Sequence, residues 1–261
     1  MTEGGNHMYM RFLQLKVDPQ YGDNFKDFYE STVYPKLQNM PGCQFACLIK
    51  SGLANNDFIS LTFWETLSQA ENYEKKGEFH RLIEQARPFL SESTEWKIHL
   101  SDNIELQYAP VSEEPVIKKY SVKAQKNNYE NLNVSNSNMF VRIVSVKVQE
   151  DKLDEFRKIY MEEIIPELKL VKGCQNAYLI ESTNEDDEYI SLTVWNDKES
   201  ADHYESSGKF TQLVNKIKHT FSQFYLWKMA LEKDYSAKVK TTEDLKVEHY
   251  NLVTGKSFIK E

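Results

Sequence analysis

The chain has 261 residues, of which 40% are hydrophobic and 13% aromatic, enough apolar material for one or two globular cores. Its formal net charge of -8 at pH 7 argues against nucleic acid or an anionic membrane as a partner, because both require a basic surface. Three cysteines, Cys43, Cys47 and Cys174, are an odd number without metal-binding spacing, so neither a disulfide framework nor a zinc site is expected.

The chain begins with a polar segment, Met-Thr-Glu-Gly-Gly-Asn-His, that contains no basic region followed by an apolar run. No apolar stretch of about 18 residues follows elsewhere in the sequence. Neither a signal peptide nor a membrane span is therefore expected, and the protein is predicted to be cytoplasmic.

A strand from Tyr9 to Val17 and a helix from Tyr21 to Gln38 are the first predicted elements. Alternation along the strand puts Arg11 on a face whose other residues are apolar. The apolar residues of the helix recur at helical spacing, and the helix ends before Pro41-Gly42, a stop signal.

Two strands, Cys43 to Lys50 and Phe58 to Glu65, follow as a hairpin with a polar turn. A second helical region runs from Ser68 to about Leu90, with Ser68 as its predicted cap and Gly77 as a break or bend. Alternating apolar residues predict a last strand from Trp96 to Leu100. The order β-α-β-β-α-β is typical of a ferredoxin-like α+β domain, with helices on one face of an antiparallel sheet.

The whole pattern occurs twice. A shift of 131 positions aligns Met8–Leu100 (copy one) with Met139–Leu231 (copy two) without a gap, and 31 of the 93 pairs are identical. A repeat of this length indicates two domains, each with its own core, rather than a solenoid. We predict a first domain at 8–124, an Asn-rich linker at 125–138 and a second domain at 139–261.

After each copy comes a further strand candidate, Val116 to Lys123 and about Leu245 to Val253. The sheet face turned away from the helices also carries apolar residues in both copies, so the two sheets are expected to cover each other. The residues concerned are Phe12, Ile59, Leu61, Ile143, Ile190 and Leu192. The chain is thus predicted to be an intramolecular pseudo-dimer, in solution a monomer or a homodimer.

The run Ile190 to Trp195, followed by Glu199-Ser-Ala201, Tyr204, Gly208 and Phe210, resembles the antibiotic biosynthesis monooxygenase (ABM) family of the dimeric α+β barrel superfamily. The equivalent run from Ile59 to Phe79 matches too, so the resemblance is to a tandem form and covers nearly all of both copies. It implies a pocket between sheet and helices in which a polycyclic phenol or quinol-like compound is oxygenated, often without metal or flavin. The substrate supplies the electrons, so an apolar cavity, a proton acceptor and hydrogen-bond donors suffice. We expect a small aromatic ligand, no metal and no cofactor.

Some members of the family degrade haem with an Asn, a Trp and a His. The resemblance puts these positions on Phe12 and Ile143, on Tyr73 and Tyr204, and on Ile83 and Val214. None of the three residue types is present, so haem degradation by that mechanism is not expected.

The candidate catalytic residues are polar side chains near the implied pocket. A buried arginine needs a partner, so it either orients an anionic or phenolic substrate or pairs with an acidic neighbour between the two sheets. The tyrosines either donate a hydrogen bond to the substrate or pack with the hydroxyl at the rim. The histidines either face solvent or act as general base. These candidates are Arg11, Tyr73, His80, Arg142, His203 and Tyr204.

Several aromatic residues either pack in the core or line a pocket for a flat ligand. They are Tyr29, Trp64, Phe79, Trp96, Tyr160, Trp195, Phe210 and Trp227. Copy one has Phe12, Phe28, Phe45, Phe58 and Phe63 where copy two has Ile143, Ile159, Asn176, Tyr189 and Val194. This contrast predicts a filled pocket in copy one and an open, active pocket in copy two. The leading hypothesis is a cofactor-independent monooxygenase, and the alternative is a non-catalytic small-ligand or stress-associated binding protein.

Overall fold

The computed structural model describes residues 8–52, 56–100, 106–112, 116–125, 139–184, 187–222 and 245–258. Within them the strands are β1 (Tyr9–Lys16), β2 (Cys43–Ser51), β3 (Asp57–Trp64), β4 (Glu92–Leu100), β5 (Leu106–Ser112), β6 (Val116–Gln125), β7 (Phe140–Lys147), β8 (Cys174–Ser182), β9 (Glu188–Trp195) and β10 (Leu245–Ser257). The helices are α1 (Gly22–Phe28), α2 (Tyr34–Gln38), α3 (Leu67–Lys75), α4 (Glu78–Ala86), α5 (Leu153–Ile159), α6 (Ile165–Leu170), α7 (Lys198–Ser206) and α8 (Lys209–Ile217). Apart from Gln125, the predicted linker lies outside the described residues.

Eight strands form a closed antiparallel barrel in the order β1-β3-β2-β10-β7-β9-β8-β6. The strands β1, β2 and β3 come from copy one, and β7, β8 and β9 come from copy two. Strand β6 pairs with β1 of copy one and β8 of copy two, while β10 pairs with β2 and β7. The prediction of two ferredoxin-like units that form a barrel within one chain is therefore confirmed.

The fourth strand of each unit is not the strand predicted from Trp96 to Leu100. That segment forms β4, which pairs with β5 in a separate two-stranded sheet. The place beside β1 belongs to β6 and the place beside β7 to β10, so the two further strand candidates complete the barrel. The prediction was wrong because alternation identifies a strand with two unlike faces but does not identify the strand with which it pairs.

Apolar side chains from both copies fill the inside of the barrel, as predicted for the second sheet faces. One cluster includes Phe12, Ile59, Leu61, Ile143, Ile190 and Leu192. Phe45 and Phe63 belong to the same cluster, with ring centroids 5.1 Å apart. Three of the phenylalanines that were expected to fill the copy-one pocket, Phe12, Phe45 and Phe63, therefore lie inside the barrel instead. Within each strand they alternate with the residues that face the helices.

The helices pack against the outer sheet face of each copy, where two further apolar cores form. The first helical stretch of each copy contains a π-helical segment, Tyr29–Val33 and Tyr160–Ile164. Helix α3 is capped by Thr66, whose hydroxyl accepts a hydrogen bond from the Gln69 amide at 3.3 Å. The predicted cap, Ser68, already lies inside the helix, so its position was wrong by two residues. Among the described residues no helix is long and apolar enough to cross a membrane.

Gly77 and Gly208 separate the two helices of each second helical region, as predicted for Gly77. Their φ angles are +81° and +79°, the left-handed region that other residues enter at a cost. A Cβ added at either position would meet nothing within 4 Å, so a larger residue would be penalised by its backbone alone.

Gly208→Ala should therefore lower the free energy of unfolding by about 1–2 kcal/mol, the cost of a left-handed non-glycine residue. The control is Gly22→Ala, at a helical φ of -54° with equally open space. It should leave stability unchanged or raise it by about 0.5 kcal/mol. Urea unfolding measures both changes, and equal effects would contradict the backbone explanation.

Candidate functional site

An apolar pocket lies between the outer sheet face and the helices in each copy. The copy-two pocket has a volume of about 500 Å³ and the copy-one pocket about 430 Å³, both including the mouth. Nine lining positions are occupied by the same residue type in both copies. These pairs are Arg11 and Arg142, Phe25 and Phe156, Tyr29 and Tyr160, Leu37 and Leu168, Ser60 and Ser191, Thr62 and Thr193, Tyr73 and Tyr204, Phe79 and Phe210, and Leu82 and Leu213.

The predicted contrast between a filled and an open pocket is not found. Of the five phenylalanines on which it rested, only Phe28 lines the copy-one pocket. Phe58 packs behind the pocket wall against Phe25, with ring centroids 5.9 Å apart. The pocket of copy one keeps most of the volume of the other because strand alternation sends Phe12, Phe45 and Phe63 to the opposite sheet face.

A buried arginine forms part of the sheet wall in each pocket. Arg11 and Arg142 are each 2% exposed. The Nε of Arg11 donates a hydrogen bond to Glu74 at 2.7 Å, and the Nε of Arg142 donates to Glu205. Each guanidinium also lies over the phenylalanine ring at the equivalent position, 4.3 Å from the Phe79 centroid in copy one and 4.0 Å from that of Phe210 in copy two. An acidic partner is thus present in both copies, but it comes from the helices α3 and α7 and not, as predicted, from between the two sheets.

One nitrogen of each guanidinium remains without a hydrogen-bond partner among the described residues. This is Nη2 of Arg11 and Nη2 of Arg142, and both atoms are buried. A buried donor that is left unsatisfied costs about 1–3 kcal/mol, and more when the group is charged. Because both arginines line their pockets, each pocket wall contains a cationic donor that an acceptor oxygen of a ligand would satisfy.

A tyrosine at the start of each π-helical segment faces the arginine's side of the pocket. The hydroxyl of Tyr29 lies 2.7 Å from Ser60 Oγ, and that of Tyr160 donates to Ser191 Oγ. Burial raises the pKa of Tyr160 to about 12 and raises that of Tyr29 well above its ordinary value. Both hydroxyls therefore stay protonated near neutral pH. Single π-helical turns within α-helices often occur at functional sites.

The second tyrosine of each pocket lies on α3 or α7. Tyr73 stacks on Trp64 with ring centroids 5.3 Å apart, and Tyr204 packs on Trp195 at 5.0 Å. The Arg142 guanidinium carbon lies 5.7 Å from the Tyr204 ring centroid. Within the described part of the chain, neither tyrosine hydroxyl has a hydrogen-bond partner. Burial raises the pKa of both side chains, although the neighbouring arginine opposes the shift, so both remain donors.

The tryptophans lie behind the tyrosines and do not line the pockets. Trp64 and Trp195 are 0% exposed, and their Nε1 atoms donate to Thr62 and Thr193 at 2.8 Å and 2.9 Å. Of the two interpretations of these tryptophans, the structure shows packing. Trp96 lies on β4 in the separate sheet, so it is absent from the barrel strands, and Trp227 lies outside the described residues.

Neither candidate histidine lines a pocket. His80 on α4 and His203 on α7 are exposed. His203 directly precedes the buried Tyr204, and consecutive residues of an α-helix point about 100° apart. The histidine that reaches this region is His249 on β10, whose Nε2 lies 2.8 Å from Glu205 Oε1.

Charged partners hold Glu205 in its ionised form. Burial by itself would raise the pKa of this carboxyl, but the hydrogen bond with His249 and the charge of Arg142 outweigh burial and lower the pKa to about 2. Sequence reasoning missed Glu74 and Glu205, although they are identical repeat partners, as are Ser60 and Ser191. The pairs Lys119-Tyr120 and His249-Tyr250 recur at about the same place in the two further strands, but the contact of His249 with Glu205 depends on where β10 joins the sheet.

A family model described as antibiotic biosynthesis monooxygenase (ABM) matches residues 8–85 and 139–216, more than half of the chain. The chain belongs to the ABM family. Both matched ranges of this ABM protein contain the complete set of nine paired pocket residues. No curated protein sequence matches the chain.

Solved structures share the fold of this ABM protein over nearly its full length. A protein named putative monooxygenase from Fusobacterium nucleatum has 11% identity and a TM-score of 0.66, covering 96% of this chain and 94% of its own. Another with that name from Lactobacillus acidophilus has 7% identity and a TM-score of 0.65, covering 97% of each chain. An anthrone oxidase-like protein has 9% identity and a TM-score of 0.60, covering 100% of this chain and 97% of its own. At these identities the likeness shows the fold alone.

The low pKa of Glu205 predicts a pH-dependent contribution to stability. Because the folded-state pKa lies below the ordinary glutamate value of about 4.3, the contribution is present above that pH and is lost as the pH falls towards 2. Glu205→Gln should lower the free energy of unfolding by about 1–2 kcal/mol at neutral pH, a value reduced for partial solvent exposure. Urea unfolding at stepwise pH should show the difference from wild type shrinking below about pH 4.5.

The control is Glu162→Gln, which removes an exposed carboxylate of the same chain. This variant should follow the wild-type stability at every pH. The assigned ion pairs of Glu205 with Arg142 and His249 would be refuted if the difference in unfolding free energy between Glu205→Gln and wild type stayed constant down to acid pH.

Proposed function

We propose that this ABM protein is a monooxygenase that needs no bound cofactor and oxygenates a small aromatic or polycyclic phenol or quinol-like compound in both pockets. Family membership supports a monooxygenase-like function. The observation that favours the finer proposal is a pair of donors that have no hydrogen-bond partner among the described residues, Arg142 Nη2 and the Tyr204 hydroxyl, in a mainly apolar pocket wall, with the same pair in copy one. Apolar walls would hold the rings while the donors bind one oxygen.

The two donors are suited to an oxygen that becomes negative during the reaction. Loss of a proton converts a phenol into a phenolate, and a ketone such as anthrone into an enolate. Hydrogen bonds from a cation stabilise the negative oxygen of either anion most strongly. Removing one such donor from an oxyanion site costs about 10²–10³ in rate in known enzymes. Arg142 and Tyr204 are accordingly proposed to touch the substrate oxygen, with Arg11 and Tyr73 in the same role in copy one.

The electrons for oxygen activation come from the substrate anion. In an anthrone-like substrate, the anion reduces O₂ and a new C–O bond forms at the ring carbon that bore the hydrogens. Loss of water from the resulting peroxide converts the CH₂ group to C=O, so that R₂CH₂ and O₂ give R₂C=O and H₂O. Both oxygen atoms and all four electrons are thereby accounted for without an external reductant.

The pocket offers no strong base among its described residues. Glu205 has a pKa of about 2, and burial keeps the tyrosines protonated. We therefore propose that water at the pocket mouth accepts the proton of the substrate. The pocket itself acts by stabilising the substrate anion that remains. This restricts the substrate to compounds that are themselves acidic. Anthrone meets this condition, and the fold is shared with a protein named anthrone oxidase-like.

Oxygen uptake with anthrone and a set of quinols tests the proposal. Tyr204→Phe should leave about half of the wild-type rate, because copy one still works. Tyr73→Phe with Tyr204→Phe should reduce the rate by about 10²-fold, since each pocket loses an oxyanion donor. The control is Tyr21→Phe, which changes an exposed tyrosine outside both pockets and should keep the full rate.

No oxygen uptake with any of these compounds would contradict the proposed reaction. Binding of the same compounds without uptake would instead favour the alternative function, a small-ligand-binding protein.

A further inference from the structure

A histidine on the last described strand, β10, lies behind the arginine of the copy-two pocket. His249 lies on β10 and is paired in register with Arg142 on β7. Its Nε2 lies 2.8 Å from the same Glu205 oxygen that accepts the Arg142 hydrogen bond. The imidazole also packs on Phe140, with ring centroids 5.5 Å apart. One carboxylate oxygen is therefore shared by the pocket arginine and an imidazole.

Copy one has a different residue at the equivalent position of its fourth strand. Strand β6 pairs with β1 so that Lys119 stands opposite Arg11, as His249 stands opposite Arg142. A lysine keeps its charge through the whole pH range in which an imidazole titrates, about pH 5 to 8. The two pockets share their lining residues, yet the fourth strands bring chemically different cations into register with the arginines.

The charged groups that face His249 can be named for each neighbouring element. Glu205 comes from α7 and Arg142 from β7. On the β2 side the nearest charged residue in register is Lys50, opposite Asn251, and its ammonium lies over the Phe58 ring instead. On β10 itself, Glu248 alternates to the opposite sheet face. The protonation state of His249 therefore affects Arg142 mainly through Glu205.

We infer that His249 is a positioning residue that makes the affinity of the copy-two pocket for acidic aromatic ligands depend on pH, while the copy-one pocket lacks this dependence. This inference rests on the proposed function in one respect, namely that the ligand places an oxyanion at Arg142 Nη2. With His249 protonated, the group of Arg142, Glu205 and His249 has a net charge of +1 and favours the anion. With His249 neutral, Glu205 balances Arg142 and the net charge is zero.

The low pKa of Glu205 supports this arrangement, because its carboxylate stays ionised throughout the range in which His249 titrates. His249 and Glu205 are 28% and 30% exposed, so solvent screens part of the effect. A positive charge on His249 lies a few ångströms behind the arginine. At an effective dielectric constant of about 20, and with this screening, we expect it to change the affinity for an anion by about five- to tenfold.

Calorimetric titration with naphthoate, an anionic aromatic probe, and with uncharged naphthamide tests the inference on the full chain. In wild type, one of two naphthoate sites should weaken about five- to tenfold between about pH 5.5 and 8. His249→Gln should give a weak site at every pH, and His249→Lys a tight site at every pH. Naphthamide should bind all three proteins without a pH step. A step that persists in His249→Gln, or no naphthoate binding at any pH, would overturn the inference.

Proton linkage provides a second readout that a merely structural role of His249 would not produce. If protonation raises the affinity for naphthoate, bound naphthoate must raise the affinity for the proton by the same factor. Naphthoate binding to wild type should therefore take up a fraction of a proton near pH 7, and binding to His249→Gln should take up none. Titrations in buffers of different ionisation enthalpy measure this uptake. Neither assay requires turnover. A pH-dependent change in naphthoate affinity without oxygen uptake would therefore refute the proposed reaction and leave the inference intact. Oxygen uptake without that change in affinity would refute the inference and leave the proposed reaction intact.

Discussion

Closure of the barrel is the constraint on which the rest of the structure depends. The three-stranded sheet of each copy has two apolar faces, and helices cover only one of them. Strands β6 and β10 pair with both copies, so the uncovered faces turn inwards and bury each other. Closure also leaves no unpaired barrel edge, a feature that otherwise favours aggregation. Since the inside is packed solid with side chains, ligand space is found on the outer faces, beneath the helices.

The same strand alternation that fills the barrel also builds the pockets. On β1, Phe12 points into the barrel and Arg11 into the pocket, and on β7 the pair is Ile143 and Arg142. The arginine is stabilised on one side by a glutamate and by two aromatic rings, while Nη2 has no hydrogen-bond partner within the part of the chain that the structure describes. Proteins rarely keep an unsatisfied buried cation, and they do so chiefly at functional sites. This cost, present in both copies, is the strongest physical argument for a ligand.

Duplication within one chain gives each copy a separate fourth strand. In a symmetric dimer of identical chains, both pockets would have to change together. Here the linings are nearly the same, but β6 puts Lys119 opposite Arg11 and β10 puts His249 opposite Arg142. The fourth strands thus put chemically different residues in register with the two arginines, while many of the residues that line the pockets are the same.

The sequence by itself determined the duplication, the type of most elements, and the face on which each strand residue lies, because these follow from local periodicity. Alternation placed Arg11 and Arg142 on one strand face with apolar residues, and the resemblance to the family placed Tyr73 and Tyr204 at the pocket. Only the tertiary structure decided which strand completes each sheet, and with it the contact between His249 and Glu205. Periodicity records which face of an element is buried but not the element that buries it. Strand pairing depends on barrel closure between segments that are distant in sequence, so the sheet that the Trp96 strand joins and the partner of the histidine could not be read from the pattern.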